Sequence, residues 1–221
     1  YPTREPQESI AFQMMKVKVE GLYETNPIVS LQKYKKLVEK NSSNIAARYG
    51  LSLALVKNSS FEEAVNEFEA LRPRLPNTIL MLAAYAEVLP SAGQHQKAEK
   101  IVEKRLAISP DNQPLSMIHA KTLIATKRFK EAEKILIRLS KVRPNDVDIW
   151  YELAETSGLA GNISGVHIAR AEYFVLHGAY TRSIQHLEYA KSLTRGNNPQ
   201  LQAKLAQQIQ DLKTQVRLAK G

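Results

Sequence analysis

Between Gln200 and Lys220 the apolar residues Leu201, Leu205, Ile209, Leu212 and Val216 recur at spacings of three and four, with Gln and Lys prominent on the other face. That is the period of an α-helix with one apolar face. It predicts a closing helix after the break at Asn197-Asn198-Pro199. Upstream, helix-length stretches rich in Ala, Leu, Glu, Lys and Gln are separated by prolines and glycines that mostly occur singly. Good helix formers punctuated in this way predict an all-α chain.

Three of the prolines share a period. Pro76, Pro110 and Pro144 are each preceded, twelve residues earlier, by Ala64, Ala98 and Ala132. Each also leads into residues able to cap a helix N-terminus, as Pro76-Asn77-Thr78, Pro110-Asp111-Asn112 and Pro144-Asn145-Asp146, so each marks a helix stop joined to a helix start. The 34-residue interval is that of the tetratricopeptide helical hairpin, and the chain resembles that family.

With units starting at 45, 79 and 113, the small residues at the helix crossing are Ser52, Ala86 and Ala120 on the first helices and Ala64, Ala98 and Ala132 on the second. Leu51, Leu55, Phe68, Leu82, Leu89, Val102, Leu123, Leu136 and Leu139 fill the neighbouring large slots. Small residues facing large ones are what a closely packed hairpin needs. Phe61 and Phe129 open second helices, and Gly93 falls in the middle unit's turn.

The flanks depart from this register. In 11–44, Tyr34 and Leu37 fit but Ser30 replaces the small alanine. The unit starting at 147 places Trp150, Leu153 and Ala154 correctly and turns at Gly161-Asn162; its second helix then serves as the first helix of a unit phased from 164, with Ala171, Phe174, Gly178, Tyr180, Leu187 and Ala190 in the motif slots. The expected fold class is all-α, a tetratricopeptide-type α-solenoid of about twelve antiparallel helices with a C-terminal capping helix. The expected organisation is a linker from a missing N-terminal domain over 1–10, repeats over 11–196 (11–44, 45–78, 79–112, 113–146 and the half-repeat-shifted 147–196) and a capping helix over 197–221. The start at Tyr1-Pro2 rather than methionine agrees with a processed chain or a fragment.

Composition narrows the chemistry. The 221 residues contain no cysteine, which excludes disulfides, thiolate metal sites and a cysteine nucleophile. No run of about 18 apolar residues exists to form a membrane-spanning helix. The net charge of +9 and pI near 9.6 are compatible with nucleic acid, an anionic surface or an acidic protein. Nucleic acid is disfavoured, because the Lys-rich stretches are interleaved with Glu and Leu rather than aromatics and no reader motif is present. No Gly-rich phosphate loop and no His-Glu-x-x-His occur, so no catalytic and no metal residue is assigned. The five histidines, His95, His119, His167, His177 and His186, include no pair three or four apart on one helix, and packing or exposure accounts for them.

One stretch carries a more particular resemblance. Trp150-x-x-Leu153-Ala154, the Gly161-Asn162 turn, and Ala169-Arg170-Ala171-Glu172-Tyr173 through Leu176-x-Gly178 resemble the C-terminal tetratricopeptide domain of periplasmic zinc metallopeptidases of the β-barrel assembly-enhancing type. Phe12, Lys16, Gly21 and Tyr23 agree with the segment that follows the peptidase domain there, and the closing helix also corresponds. The resemblance covers nearly the whole chain and is strongest between Trp150 and Ala190.

It implies a periplasmic, chaperone-like interaction domain that binds outer-membrane β-barrel precursors, their assembly complex or the parent's own peptidase domain, with at most peripheral membrane contact. It implies no cofactor in this chain and a zinc ion in the parent protein. The alternative is a free-standing tetratricopeptide scaffold of an envelope or secretion complex with no protease attached.

Two surfaces are candidates for partner binding. First helices of such repeats line a concave face, and here the positions include Tyr49, Leu53, Ala83, Glu87, Met117, Lys121, Tyr151 and Glu155. Tyr49, Leu53, Ala83 and Glu87 replace the Lys and Asn residues that hold a peptide carboxylate in chaperone-binding relatives. The same side chains could equally be covered by neighbouring repeats or by the final helix. The second surface is a basic ridge on the convex side. Lys127, Lys130, Lys134, Arg138 and Lys141 follow at spacings of three and four, and Lys100 and Lys104 hold the repeat positions of Lys134 and Arg138 one unit earlier. Lys100, Lys104, Lys134 and Arg138 would dock an acidic partner or anionic head groups, or be solvated surface.

Overall fold

A computed structural model describes residues 9–75, 78–196 and 198–218. Pro76, Asn77, Asn197 and the stretches 1–8 and 219–221, with the expectations placed on them, lie outside the described residues. Among the described residues there are twelve α-helices and one 3₁₀ turn. They are α1 (Ile10–Tyr23), α2 (Pro27–Lys40), α3 (Ile45–Lys57), α4 (Phe61–Leu71), α5 (Ile79–Val88) with the 3₁₀ turn Leu89–Ala92, α6 (His95–Leu106), α7 (Gln113–Ala125), α8 (Phe129–Val142), α9 (Val147–Leu159), α10 (Ile163–Leu176), α11 (Tyr180–Leu193) and α12 (Pro199–Leu218). The fold class is all-α, with helices packed pairwise in the tetratricopeptide manner. Two compact units divide within α7, one ending at Ile118 and the other beginning at His119.

Helix starts follow from capping chemistry. Asn44 accepts from the Ala47 amide at 3.0 Å, Asn112 from Leu115 at 3.1 Å, Asp146 from Asp148 at 3.0 Å and Asn162 from Gly165 at 2.9 Å. Each bond satisfies one of the amides left orphaned at a helix N-terminus. Pro90, which has no amide hydrogen, sits where α5 tightens into its 3₁₀ turn, as the loss of a helical donor requires. Gly93 closes that turn at φ +73, a left-handed conformation that costs glycine nothing.

In the first unit, Ser52, Ala64, Ala86 and Ala98 have no exposure at all, so the crossing positions of α3–α4 and α5–α6 hold the small residues the period predicted. Around them Leu51, Leu55, Phe68, Leu82, Leu89 and Val102 are buried. Tyr49 corrects an expectation. Placed on the open wall by its repeat position, it is wholly buried, with its ring edge-on to Phe68 at 6.3 Å between centroids, and Phe68 lies 5.8 Å from Tyr85. Three rings packed edge-on and tilted bury more apolar surface than an open wall would allow. The helices α1 and α2 both pack on α3. There Tyr34 is buried as expected, whereas Leu37 is exposed, because α2 turns that face to solvent.

In the second unit, Ala120 and Ala132 are fully buried, and Leu123, Leu136 and Leu139 close around them. Trp150 donates its indole N–H to the Pro144 carbonyl at 2.7 Å, tying α9 to the preceding boundary. The helix α10 packs against both α9 and α11, so one helix serves two hairpins. Leu205, Ile209 and Leu212 of α12 cover an apolar face made by Ala171, Leu187 and Ala190. Among the described residues no helix is long and apolar enough to cross a membrane.

Candidate functional site

The sequence-predicted wall residues have different fates. Tyr49 is buried, Leu53 is half-buried against the first core, and Ala83 is half-buried against Ala86, Val102 and Leu115. Glu87 on α5 is exposed; on α7 Met117 is half-buried and Lys121 exposed. Tyr151 and Glu155, one turn apart on α9, are both exposed, and only these two join a larger constellation.

That constellation is a run of rings across α9, α10 and α11. Tyr151 lies 6.2 Å from Tyr173, Tyr173 lies 5.6 Å from Phe174 and 4.3 Å from His177, and Phe174 lies 5.3 Å from His186 in a stacked arrangement. The run continues from His186 to His167 at 5.1 Å and from His167 to Tyr189 at 5.2 Å. Its ends are open, with Tyr151 54% and Tyr189 59% exposed. The local cause is helical spacing: His167 and Phe174 share one stripe of α10, with His177 at its C-cap, and Arg182, His186 and Tyr189 share one stripe of α11.

Charged groups frame the rings. Arg170 pairs with Glu155 at 3.0 Å, joining α10 to α9, and the Arg182 guanidinium stands 5.7 Å from the Phe174 ring centre, within reach of a cation–π attraction. The two histidines meet through their Nδ1 atoms at 2.8 Å. One ring must donate and the other accept, so the pair is held together only while at least one is uncharged. Burial is the first cause holding both below the ordinary histidine pKa. The nearby Arg170 charge adds to it, and for His186 so does His167. At neutral pH His167 and His186 therefore present uncharged faces, which suit apolar and aromatic side chains.

Sequence reasoning missed His167, Tyr173, Phe174, His186 and Tyr189 as surface residues. Spacing along one helix cannot reveal a pair whose members stand on two helices. The three-to-four spacing of rings on each of α10 and α11 was the available signal.

The predicted basic residues are all exposed, Lys100 and Lys104 on α6 in the first unit and Lys134 and Arg138 on α8 in the second. Within each pair the side chains stand one turn apart on one helix face.

Comparison with known proteins agrees with the helical pattern. Residues 91–156 match the tetratricopeptide repeat family. A β-barrel assembly-enhancing protease of Yersinia pestis is 27% identical over 150 residues, which is 67% of this chain and 30% of that protein. A putative β-barrel assembly-enhancing protease of Vibrio cholerae is 30% identical over 79 residues, 36% of this chain and 16% of that protein. The chain thus spans less than a third of either relative. Among solved structures, PilW, a type IV pilus biogenesis factor, superposes with a TM-score of 0.66 at 16% identity, covering 93% of this chain and 94% of that one. That likeness is one of fold.

Proposed function

We propose that this chain, which is a tetratricopeptide-repeat protein, is the protein-interaction module of a periplasmic metallopeptidase and chaperone that acts in assembly and quality control of outer-membrane β-barrel proteins. The observation that carries the reading is the ring-lined face of α9–α11. It falls within the stretch, Trp150 to Ala190, whose motifs resemble the assembly-enhancing peptidases most closely.

An unfinished β-barrel strand alternates apolar with polar side chains, so its apolar residues fall on one side at intervals of two. A row of ring faces from Tyr151 to Tyr189 accepts such side chains without demanding one sequence. Aromatic faces supply large contact area with few rotatable bonds. The Arg170–Glu155 pair and Arg182 at the border accept the intervening polar groups. In this reading the chain holds and the parent cuts: zinc and hydrolysis belong to the parent protein, and Tyr151, Phe174, His186 and Tyr189 contribute binding alone.

The reading is tested by placing a photo-crosslinking amino acid at Tyr151, at Tyr189 and, as a control, at the exposed Glu62 of α4 in envelope-targeted protein. Adducts with β-barrel precursors or assembly-complex subunits at 151 and 189, and not at 62, are expected. Adducts at 62 alone, or none with such proteins at 151 and 189, would overturn it.

A further inference from the structure

A second surface lies in the first unit. Between α4 and α6, over Leu82 of α5, runs a groove of about 800 Å³, a volume typical of sites that take a drug-sized ligand or a short peptide stretch. Its walls are basic. Arg72 closes α4, while Lys97, Lys104 and Arg105 stand along α6. Glu69, its one acidic lining residue among those described, is already bound by Lys97 and by the Tyr85 hydroxyl at 2.9 Å. These two partners hold the Glu69 carboxyl below the ordinary carboxylate range, with Lys97 the larger cause. Four cations against one engaged carboxylate leave the groove strongly positive.

Two observations show that it is more than a solvated lysine face. Nε of Arg105 is buried and has no hydrogen-bond partner. A guanidinium nitrogen taken out of water without an acceptor is costly, and a carboxylate oxygen is its best match. The base of the groove is apolar, with Leu82 nearly closed off, Ile101 half-buried and Ile108 standing 68% exposed at the rim. A flat anionic bilayer would meet the outer lysines and leave the apolar base untouched. A narrow chain can enter between the two helices and reach Leu82 and Ile101.

We propose that the α4–α6 groove is a docking site for an extended acidic peptide segment in which carboxylates flank one large apolar side chain. The apolar residue lies over Leu82, Ile101 and Ile108, and the flanking carboxylates meet Arg105 and Lys104 on one side and Arg72 on the other. This site takes a partner of different chemistry from the uncharged ring face of α9–α11 and is independent of it.

The test uses the full chain and a fluorescein-labelled Asp-Glu-Leu-Glu-Asp peptide, read by anisotropy, beside a peptide with Lys in place of each acid and vesicles of phosphatidylglycerol. The acidic peptide should bind and the basic one should not. Arg105→Gln with Lys104→Gln should weaken binding about tenfold or more, and binding should fall as added salt shortens the Debye length. Ile108→Ser, a change at an exposed rim that leaves the fold intact, should weaken binding severalfold with little salt dependence. Tyr151→Ala with Tyr189→Ala should leave this affinity unchanged. Equal binding of the acidic peptide to wild type and to both groove variants would overturn the proposal. So would no binding at all, or binding of vesicles in preference to peptide.

Discussion

Gly50 of α3 lies directly under the ring of Tyr34 from α2, and Gly50→Ala tests that contact. A Cβ built at Gly50 would stand 2.3, 2.5 and 2.6 Å from three carbons of the ring, far inside contact distance. The ring cannot simply tilt. Tyr34 is 5% exposed, its hydroxyl meets the Glu20 carboxylate at 3.3 Å, and its pKa is raised to about 12, chiefly by burial. Alanine gains about 1 kcal/mol over glycine inside a helix. Against this stand about 1–3 kcal/mol for forcing a methyl into a packed site and about 1 kcal/mol if the hydroxyl loses its partner. The balance is a loss of roughly 1–3 kcal/mol, or a melting point lower by about 2–4 °C for each kcal/mol in a chain of this size. Gly21→Ala on α1 is the matched control, because nothing lies within 4 Å of its Cβ; it should gain about 0.4–1 kcal/mol. Urea and thermal unfolding followed by circular dichroism measure both. If Gly50→Ala is as stable as Gly21→Ala, Tyr34 does not rest on Gly50, and the packing of α2 on α3 described above is wrong.

Ala98→Trp and Ala132→Trp, at positions with no exposure, should each destabilise by roughly 1–3 kcal/mol or more; unchanged melting in both would refute the repeat register. Burial holds the folded-state pKa values of His167 and His186 below the ordinary histidine value of 6.5, so the unfolded chain binds more protons between the two values. The pair's contribution is therefore present above pH 6.5 and is lost as pH falls through the folded-state values. Thermal melts at pH 7 and pH 5 should show a larger drop for wild type than for His167→Phe with His186→Phe, and equal drops would contradict the paired geometry. Reversing Lys100, Lys104, Lys134 and Arg138 to Glu should barely move the melting curve, since exposed charges contribute little, while weakening capture of an acidic partner at low salt; full retention would make these residues solvated surface only.

What the sequence could convey was whatever repeats along it. The interval shared by Ala64, Ala98 and Ala132 located the crossing positions because close approach of two helices tolerates only small residues there. The slots at Ala171, Leu187 and Ala190 likewise announced that α10 serves two hairpins. Tyr49 was misplaced because a generic repeat assigns its position to an open wall, and nothing local to it records the rings of Phe68 and Tyr85 from α4 and α5. His167 and His186 are 19 residues apart, too far for any rule of spacing on one helix, so their junction emerges only when α10 packs on α11. No repeat slot marks Gly50, because what sets it apart is the Tyr34 ring of another helix in the space its missing side chain leaves. No repeat slot marks Arg105 either, because its Nε is closed off only by tertiary packing.

On the function proposed above, the ring face of α9–α11 holds unfinished β-barrel chains. The most direct measurement is the affinity of this chain for a urea-diluted, fluorescently labelled outer-membrane β-barrel precursor, compared between wild type and Tyr151→Ala with Tyr189→Ala. Both rings are exposed, so melting should be unaltered, and truncating an aromatic anchor at an interface costs about 1 kcal/mol or more. Affinity should fall by about tenfold or more in the double variant, with little dependence on salt. Equal affinity of the two proteins for the precursor, at matched melting temperatures, would contradict it.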